Sequence, residues 1–524
     1  MVEVISKYLD LLFKSKRQTP QQQMELVRDI SRRGLLKHIT NIISMGVIAN
    51  TCCSTTLEYS KFLPDLGDAD RGILSSADAA FFGRQVVNSI AQAGDMLDDY
   101  DTLYYLNSIG SELVSYSSLF NNNYFNFYAL KGNEINAFAL PGGFICVYNG
   151  LIYTTQSESE LASVMAHEIS HIIQHHVFRN IALYDRNQWL SLAGIIAGAL
   201  LAPFNPGIAV AVASGGQGVA MQTILSFSRD FEREADRVGQ DIMYNAGFDA
   251  HAMPSFFAKL QNSEKFNNND ALAFLRTHPV TLERISEAEL RANQLPVKMR
   301  PDSLFYLLIK EKSRVRKLGF IAAINFYQQS IKNKRYFKID IIYYGLAFAY
   351  YSHSHPQNAL LYLNKIHDTS LKKHPVYYSL KGVIYAVLKE YKKADMVYQE
   401  ALVLFSEYKS LWVGRVDLMI GTKDYINASK YLLTLSEQYP NDMDIWSRMA
   451  SVYSDTKLNN QKLYFYALAN QQLLLGNHKS ALNNFEQSLK KTTTDKNDYF
   501  NDIISSNIID IQALIKNHAR YGSY

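Results

Sequence analysis

The pattern with the most definite chemistry in this chain is the run His167-Glu168-Ile169-Ser170-His171. On a helix, two histidines four residues apart lie on one face, so both imidazoles can bind one zinc ion at roughly 2.0–2.1 Å. Glu168 points to the adjacent face, where it can take a proton from a water molecule that the metal activates. The spacing predicts a zinc site that hydrolyses peptide bonds, although so short a pattern also occurs by chance.

A catalytic zinc site also needs a third protein ligand and an open position. The best source is the acidic run Phe231-Glu232-Arg233-Glu234-Ala235-Asp236, in which Glu232 follows His171 by 61 residues. Glu232 and Asp236 are four residues apart and share a helix face, so Glu232 could bind zinc while Asp236 orients a histidine ring. Spacing alone leaves a second interpretation open, an acidic face in contact with solvent.

The elements that must position these residues are a helix and a small group of strands. Ser157 and Glu160 form a capping box, which predicts that a helix begins there and runs past His171. Upstream, residues 124–153 alternate apolar and polar side chains around Pro141-Gly142-Gly143. That alternation around a turn predicts strands.

Length and composition limit the remaining choices. The 524 residues suffice for two or three domains at roughly 150 residues each. Apolar residues make up 48% and charged residues 19%, which excludes a largely disordered chain. A formal net charge of +4 without a dense basic block argues against nucleic acid as a partner. Three cysteines, two of them adjacent, cannot build a disulfide framework.

The N-terminus resembles an export signal. Basic residues precede an apolar run over residues 39–49, which is the order found in secretory signal peptides and too short to span a bilayer. Residues 1–49 are therefore predicted to be a leader that contains a signal peptide, with Met24 as the true start. An N-terminal amphipathic helix remains an alternative. A lipoprotein at Cys52 is a weaker one, because Thr51 is unsuited to the position before an acylated cysteine.

A second apolar segment lies between the two halves of the predicted site. No charged residue occurs between Arg186 and Arg229. Each apolar piece is shorter than the roughly 18 residues of a spanning helix, and glycine and proline interrupt them. The segment is interpreted either as a hairpin next to the active site or as a membrane contact.

Beyond Pro301 the sequence becomes helical and repetitive. Aromatic residues recur every 34 residues, at Tyr344, Tyr378, Trp412 and Trp446. Thirty-four is the period of the tetratricopeptide repeat, a helix pair that stacks into a solenoid with a concave face for extended or helical partners. Coincidental helical periodicity is the alternative. Residues 301–495 are predicted to form the solenoid and residues 496–524 a C-terminal tail.

Taken together, four motifs resemble the M48 metallopeptidases. They are the histidine motif with His176 five residues on, Ser228-Arg229 with Glu232-x-x-Ala235-Asp236, Asn136-Ala137-Phe138-Ala139-x-Pro141-Gly142-Gly143, and His278-Pro279-x-x-x-x-Arg284-Ile285. The resemblance covers roughly residues 78–295. It implies an α+β, mostly α fold: a gluzincin-type metallopeptidase domain with a small sheet over residues 50–300, followed by the α-solenoid of tetratricopeptide repeats.

The resemblance also implies roles for individual residues. The family's zinc ligands fall on His167, His171 and Glu232, and its catalytic acid/base falls on Glu168. Asp236 matches the catalytic-site carboxylate that supports a ligand. One Zn²⁺ per chain is therefore expected.

The other histidines carry different expectations. His278 lies in a Thr277-His278-Pro279 segment that is predicted to be extended, which could bring its ring to the zinc as a fourth ligand or transition-state contact. Otherwise the segment merely ends a helix and anchors a loop. His176 lies nine positions after His167, on the opposite side of a continuous helix, so packing or hydrogen bonding is expected rather than zinc binding. His175 is expected at the surface.

Asn136, Ala137, Phe138 and Ala139 are predicted to line the cleft as an edge strand that pairs with substrate backbone. A strand inside the sheet, with no free edge, is the alternative. The distinction matters because only an edge strand can add an extended peptide to the sheet.

With repeats attached, the chain is similar to the periplasmic branch of the family in Gram-negative bacteria. This implies a zinc endopeptidase in quality control of outer-membrane β-barrel proteins, with degradation and assisted assembly as its tasks. Expected partners are unfolded or misassembled outer-membrane proteins and the β-barrel assembly machinery, with peripheral contact to the outer membrane. The alternatives are a tetratricopeptide-repeat chaperone or adaptor with a mostly closed or vestigial protease site, and a membrane-embedded peptidase that uses residues 187–228.

Overall fold

The computed structural model describes residues 76–117, 125–176, 228–265, 274–454, 457–491 and 499–521. Within these ranges the fold is α+β and mostly helical, as the sequence predicts. The predicted leader, Cys52 and almost all of the charge-free segment lie outside the described residues. Among the helices that are described, none is both long and apolar enough to cross a membrane.

One small sheet carries the strands predicted from residues 124–153. Strands β1 (Asn126–Leu130), β2 (Ala137–Leu140) and β3 (Phe144–Tyr148) lie in the order β1-β3-β2. β3 runs parallel to β1 and antiparallel to β2. Between β2 and β3, Gly142 and Gly143 have φ angles of 83° and 85°, a region that glycine adopts without strain.

Four helices surround the sheet, namely α1 (Ser76–Gln92), α2 (Tyr100–Ser115), α3 (Asn149–Thr154) and α4 (Glu158–Ile173). Helix α4 carries the histidine motif and begins with the predicted cap, because the Ser157 hydroxyl accepts a hydrogen bond from the Glu160 amide at 3.2 Å. Every residue of α4 is buried. A helix that is buried on all sides belongs to the centre of a domain, so the motif lies in the core.

Three further helices complete this part of the chain, namely α5 (Arg229–Asn245), α6 (Ala252–Lys265) and α7 (Leu282–Asn293). Helix α5 carries the acidic run and packs directly on α4. At the crossing, Gly239 faces the backbone of His167, where a Cβ atom would lie 3.0 Å from the amide nitrogen. The missing side chain allows the two helices that carry the predicted ligands to approach closely.

The remaining elements are all helices. They are α8 (Leu304–Leu318), α9 (Phe320–Lys332), α10 (Ile339–Ser352), α11 (Pro356–Leu363), α12 (Thr369–Lys372), α13 (Pro375–Val387), α14 (Tyr391–Leu404), α15 (Lys409–Gly421), α16 (Tyr425–Gln438), α17 (Met443–Tyr453), α18 (Gln461–Leu474), α19 (His478–Lys490) and α20 (Tyr499–Tyr521). The last of these occupies most of the segment predicted to be a tail, and its Ile504 and Ile511 are buried in a core shared with the preceding helices. These residues of the predicted tail are therefore helical and pack on the helices before them.

The 34-residue period is visible in the helices themselves. Helices α13, α15 and α17 begin 34 residues apart, and so do α14 and α16. The indole N–H groups of Trp412 and Trp446 donate to the carbonyls of Ser406 and Pro440, which are also 34 residues apart. The repeat is thus structural as well as sequential, and its assignment to the tetratricopeptide class stays a prediction.

Residues on both sides of position 300 share one hydrophobic core. Residues 69–524 form a single compact unit, and Tyr306 and Ile309 of α8 belong to the same buried cluster as Leu151 of α3. The Tyr306 and Thr155 hydroxyls also lie 3.0 Å apart. The repeat helices therefore continue the core of the sheet-containing part.

A buried group of charges, here called the junction cluster, joins α2 to α8 and α15. Lys312 lies 2.6 Å from Asp99 and 2.7 Å from Asp101, and Arg316 lies 2.5 Å from Asp99. The Tyr408 hydroxyl donates to Asp101 at 3.0 Å. Because positively and negatively charged side chains pair with each other through hydrogen bonds, the free-energy cost of burying these charges is offset.

Candidate metal centre

Four side chains from separate parts of the sequence converge at the crossing of α4 and α5. His167 and His171 come from α4, Glu232 comes from α5, and His278 follows a helical turn that ends at residue 277. One nitrogen or oxygen of each lies within 4.8 Å of the others, and all four side chains are buried. The structure thus brings together the three predicted ligands and the histidine predicted as a fourth.

The donor atoms fit a divalent metal ion. Nε2 of His167 lies 3.0 Å from Nε2 of His171 and 3.3 Å from Nδ1 of His278. Oε1 of Glu232 lies 2.9 Å from that same His278 nitrogen. Several ring nitrogens facing one point cannot all satisfy one another by hydrogen bonds, whereas a cation accepts all their lone pairs. Two or three histidines with one carboxylate are a donor set that suits zinc.

Asp236 lies behind the first histidine, as predicted for a supporting carboxylate. Its Oδ1 is 3.0 Å from Nδ1 of His167. A proton on Nδ1 is then shared with the carboxylate, which leaves the Nε2 lone pair directed toward the donor atoms of the other residues. The contact fixes both the tautomer and the orientation of the His167 ring.

Arg284 of α7 connects the two carboxylates. Its Nε and Nη2 donate to Asp236 at 2.7 and 2.8 Å, and its Nη1 lies 2.7 Å from Oε2 of Glu232. Nη1 also donates to the Pro279 carbonyl at 2.8 Å, beside His278. The guanidinium is almost completely buried. The sequence analysis includes Arg284 in a motif but predicts no role for it. The available signal was an arginine six residues after His278.

The charges of the site hold its carboxylates ionised. Burial raises the pKa of Glu232, but His278 and Arg284 outweigh it and bring the pKa well below its usual value. Burial likewise raises the pKa of Asp236, and Arg284 outweighs it. Burial lowers the pKa of His167, yet the Asp236 and Glu232 carboxylates raise it to about 10. The Glu232 carboxylate therefore stays ionised among the ring nitrogens, where it can act as a ligand to a cation.

Glu168 lies beside the donor atoms and differs from the other carboxylates. It is fully buried, and its Oε1 is 3.5 Å from Nε2 of His278. Burial raises its pKa, while His278, His167 and the backbone of Ala139 act in the opposite direction. A carboxylate whose pKa is raised toward neutrality is suited to accept and return a proton.

The backbone around His278 differs from the expectation. The segment was predicted to be extended, but the His278 amide donates to the Phe274 carbonyl at 2.7 Å, so the residue closes a helical turn. Its ring packs on Phe274, with centroids 4.8 Å apart. The proline at position 279 then stops the helix. The helical turn, rather than extended backbone, carries the ring to Glu232.

β2 occupies the edge position predicted for it. It pairs with β3 and, among the described strands, with no other. It packs on α4 and is buried along its length. Asn136 precedes the strand, and its carbonyl accepts from the Tyr148 amide at 3.0 Å. Binding of substrate by Asn136, Ala137, Phe138 and Ala139 stays a prediction.

His176 is placed differently from the expectation, because α4 ends at Ile173 and the helical wheel no longer applies. The residue is buried, and its Nδ1 lies 2.9 Å from Nδ1 of His171. Its Nε2 lies 3.1 Å from Glu234. The opposite-side placement was therefore wrong, while the expected hydrogen bonding is present. His175 is partly exposed and has a φ of 55°.

Comparison with known proteins agrees with this geometry. Residues 102–292 match the family model of peptidase family M48. The chain is 34% identical over 288 residues to the beta-barrel assembly-enhancing protease of Escherichia coli strain K12, a match that covers 55% of this chain and about 58% of the relative's length. It is 29% identical over 417 residues to the protein of that name from Yersinia pestis, covering 78% and 83%.

A more distant relative comes from a eukaryote. The mitochondrial metalloendopeptidase OMA1 of Schizosaccharomyces pombe is 27% identical over 227 residues, which are 41% of this chain and 61% of that protein. The matched family region includes all four converging side chains together with Glu168, Asp236 and Arg284. Residues 102–292 of this chain therefore carry an M48 peptidase domain by similarity, and the converging side chains all lie within it.

Proposed function

We propose that this chain is a zinc-dependent endopeptidase of the Gram-negative periplasm that acts in quality control of outer-membrane β-barrel proteins. The observation that carries the proposal is the convergence of His167, His171 and Glu232 with Glu168 alongside them. The similarity to beta-barrel assembly-enhancing proteases supports the peptidase class and the β-barrel context.

The residues divide the chemistry among them. His167, His171 and Glu232 would hold the zinc ion, with His278 as a fourth ligand or a contact to the transition state. Zinc in such a site supplies Lewis acidity that activates water and polarises a peptide carbonyl. Glu168 accepts a proton from the attacking water and returns it to the departing amine. Asp236 keeps the His167 ring in the orientation that binding requires.

Substrate binding is proposed to use the edge of β2 that pairs with no other strand in the described part of the chain. An extended peptide can add to such an edge through main-chain hydrogen bonds, which give affinity with little dependence on side chains. Unpaired strands of a stalled β-barrel offer this kind of backbone. The 34-residue helix pairs are proposed to be tetratricopeptide repeats that hold the client or the β-barrel assembly machinery.

A second candidate function is that of a chaperone or adaptor whose protease site is mostly closed. The observation in its favour is the burial of all four converging side chains, with His278 less than 3 Å from Glu232. A site with four protein donors leaves a zinc ion no open position until one donor moves. The two candidates therefore differ in whether cleavage is the main task.

Metal content is the first test of the proposal. Mass spectrometry of the purified full chain should find about one zinc ion per molecule, and the Glu232→Ala variant should lose it. Cleavage of an unfolded outer-membrane protein by the wild type, and not by Glu168→Gln with zinc retained, would support the peptidase. Well-folded wild type without zinc would contradict it. Complementation by Glu168→Gln in cells would favour the adaptor.

Location needs a separate experiment. N-terminal sequencing of protein recovered from the periplasmic fraction of a Gram-negative host should give a mature chain that begins near Asn50. Release by carbonate without detergent would agree with peripheral contact to a membrane. A chain that retains residues 1–49 and stays in the cytoplasmic fraction would contradict the periplasmic proposal.

A further inference from the structure

His171 has its own support, separate from that of His167. We infer that His176 and Glu234 form a relay that fixes the tautomer and orientation of the His171 ring, and thereby sets how tightly the site holds its metal. The inference rests on the proposed function, because it takes the converging side chains to be a metal centre. His176 and Glu234 are positioning residues in this account, since neither reaches the other donor atoms.

The contacts run in one line from the site to the surface. Nδ1 of His171 lies 2.9 Å from Nδ1 of His176, and Nε2 of His176 lies 3.1 Å from Oε2 of Glu234. The His176 ring is stacked on Phe231, with centroids 4.4 Å apart and planes 8° from parallel. His176 is completely buried, whereas the Glu234 side chain is 42% exposed. The ring is therefore held on its face by Phe231 and at both nitrogens by polar partners.

One arrangement of protons fits these contacts and keeps the metal-binding lone pair of His171. Nε2 of His171 faces Nε2 of His167 at 3.0 Å and must keep its lone pair to bind a metal. The proton of a neutral His171 ring then lies on Nδ1 and is donated to His176. Nδ1 of His176 is the acceptor, so the proton of that ring lies on Nε2 and is donated to Glu234. The Glu234 carboxylate therefore selects the tautomer of the His171 ring through His176, which lies between them.

The backbone is bent to make this contact. Helix α4 ends at Ile173, and the amide of His175 donates back to the Ile172 carbonyl at 3.1 Å. His175 has a φ of 55°, a left-handed conformation that is costly for a residue with a Cβ atom. This turn brings His176 against His171. Strain beside a buried polar contact is a pattern found at functional sites.

The two histidines of the motif are thus supported unequally. His167 contacts Asp236, a buried carboxylate that accepts two hydrogen bonds from Arg284. His171 contacts the buried imidazole of His176, whose own partner, Glu234, is partly exposed. Loss of either contact removes a polar partner that orients the ring, and the loss of such a partner typically changes metal affinity about 10- to 100-fold.

Three variants of the full chain test the relay. His176→Phe keeps a ring on Phe231 but removes the nitrogen that accepts from His171. His176→Asn restores an acceptor, because its side-chain oxygen can replace Nδ1. Asp241→Asn is the control, since Asp241 lies on α5 and pairs with Arg291 at the surface, away from His171.

Zinc affinity and the absorption spectrum of the Co²⁺-substituted protein are the readouts. We expect His176→Phe to bind zinc about 10- to 100-fold more weakly, with altered cobalt ligand-field bands. His176→Asn should recover most of the affinity and the wild-type bands, and Asp241→Asn should match the wild type. Circular dichroism of the metal-free proteins checks that each variant is folded.

The outcomes separate this inference from the proposed function. Wild type that binds one zinc ion, with His176→Phe binding as tightly and giving the same cobalt bands, overturns the relay and leaves the proposed function intact. Equal weakening by His176→Phe and His176→Asn also overturns it, because restoring an acceptor would then have made no difference to the affinity. Wild type without zinc overturns the proposed function first and the relay with it.

Discussion

Gly239 on α5 faces the backbone of His167 on α4 so closely that a Cβ atom would lie 3.0 Å from the His167 amide nitrogen. Gly239→Ala must therefore separate the two helices by a few tenths of an ångström, and with them Glu232 from the histidines. We expect the metal affinity to fall several-fold. Overpacking costs about 1–3 kcal/mol, which exceeds the gain of about 0.5–1 kcal/mol from alanine in a helix.

Zinc titration and urea unfolding measure both effects of Gly239→Ala. Gly421→Ala is the matched control, because Gly421 ends α15 and a Cβ atom there would meet nothing within 4 Å. The control should leave zinc affinity unchanged. Unaltered zinc affinity in Gly239→Ala would show that the helix crossing does not set the ligand positions.

Removal of Arg284 should affect both stability and metal binding. Arg284→Ala leaves the buried carboxylates of Asp236 and Glu232 without their cation, and breaking a buried ion pair costs about 3–5 kcal/mol. We expect a loss of this size in the free energy of unfolding of the metal-free protein, measured with urea. Added zinc should recover part of it, because a divalent cation replaces some of the lost charge. Arg291→Ala, which breaks only an exposed pair with Asp241, should cost less than about 1 kcal/mol.

Asp99 in the junction cluster should make stability depend on acid. Burial raises the pKa of this carboxyl, but Lys312 and Arg316 outweigh it and bring the pKa below the ordinary 3.8. An acid with a depressed pKa in the folded state contributes stability above its unfolded pKa, and the contribution is lost as pH falls below about 4. Asp99→Asn should therefore cost about 3–5 kcal/mol at pH 7, with a smaller difference from wild type below pH 4.

Asparagine is the informative substitution at this position, because it keeps the side-chain cap of α2 while removing the charge. Asp424→Asn is the control, since the Asp424 side chain also caps a helix, α16, and lies outside the junction cluster. Urea unfolding at several pH values measures the two variants side by side. A difference for Asp99→Asn that stays constant down to pH 3 would contradict the assignment.

His278 is predicted to close the site in the resting protein. His278→Ala leaves His167, His171 and Glu232 as donors and opens one position, so zinc should be retained while peptide cleavage rises several-fold. Metal analysis and cleavage of an unfolded outer-membrane protein measure the two quantities. A variant that retains zinc and is no more active than the wild type would exclude a closing role. In that case a contact to the transition state would be the better explanation for its position.

Local signals sufficed for the elements that carry the chemistry. The capping box placed the start of α4, and the spacing of the histidines placed both rings on one face, because these features depend on neighbours within one turn. The convergence of Glu232 with the histidines followed from the family resemblance. Spacing in the sequence could not provide it, since a close helix crossing at Gly239 brings the two segments together.

Other features depend on backbone or on distant residues and left little trace in the sequence. The turn at His175 invalidated a helical wheel drawn through His176, because a single left-handed residue ends the periodicity. The pairing of Asp99 with Lys312 joins positions 213 residues apart. The helix at the C-terminus was missed because its apolar face has meaning only beside the helix before it.

The core that spans position 300 decides where this gene product could be shortened. A fragment that stops at residue 300 would lose Tyr306 and Ile309 and expose Leu151 to water. The Glu158 carboxylate would also lose two hydrogen bonds, from the Ser303 amide at 3.0 Å and from the Ser303 hydroxyl at 2.6 Å. A fragment made to study the candidate metal centre therefore needs at least helix α8, and the helices after position 300 cannot be exchanged as a separate module at that boundary.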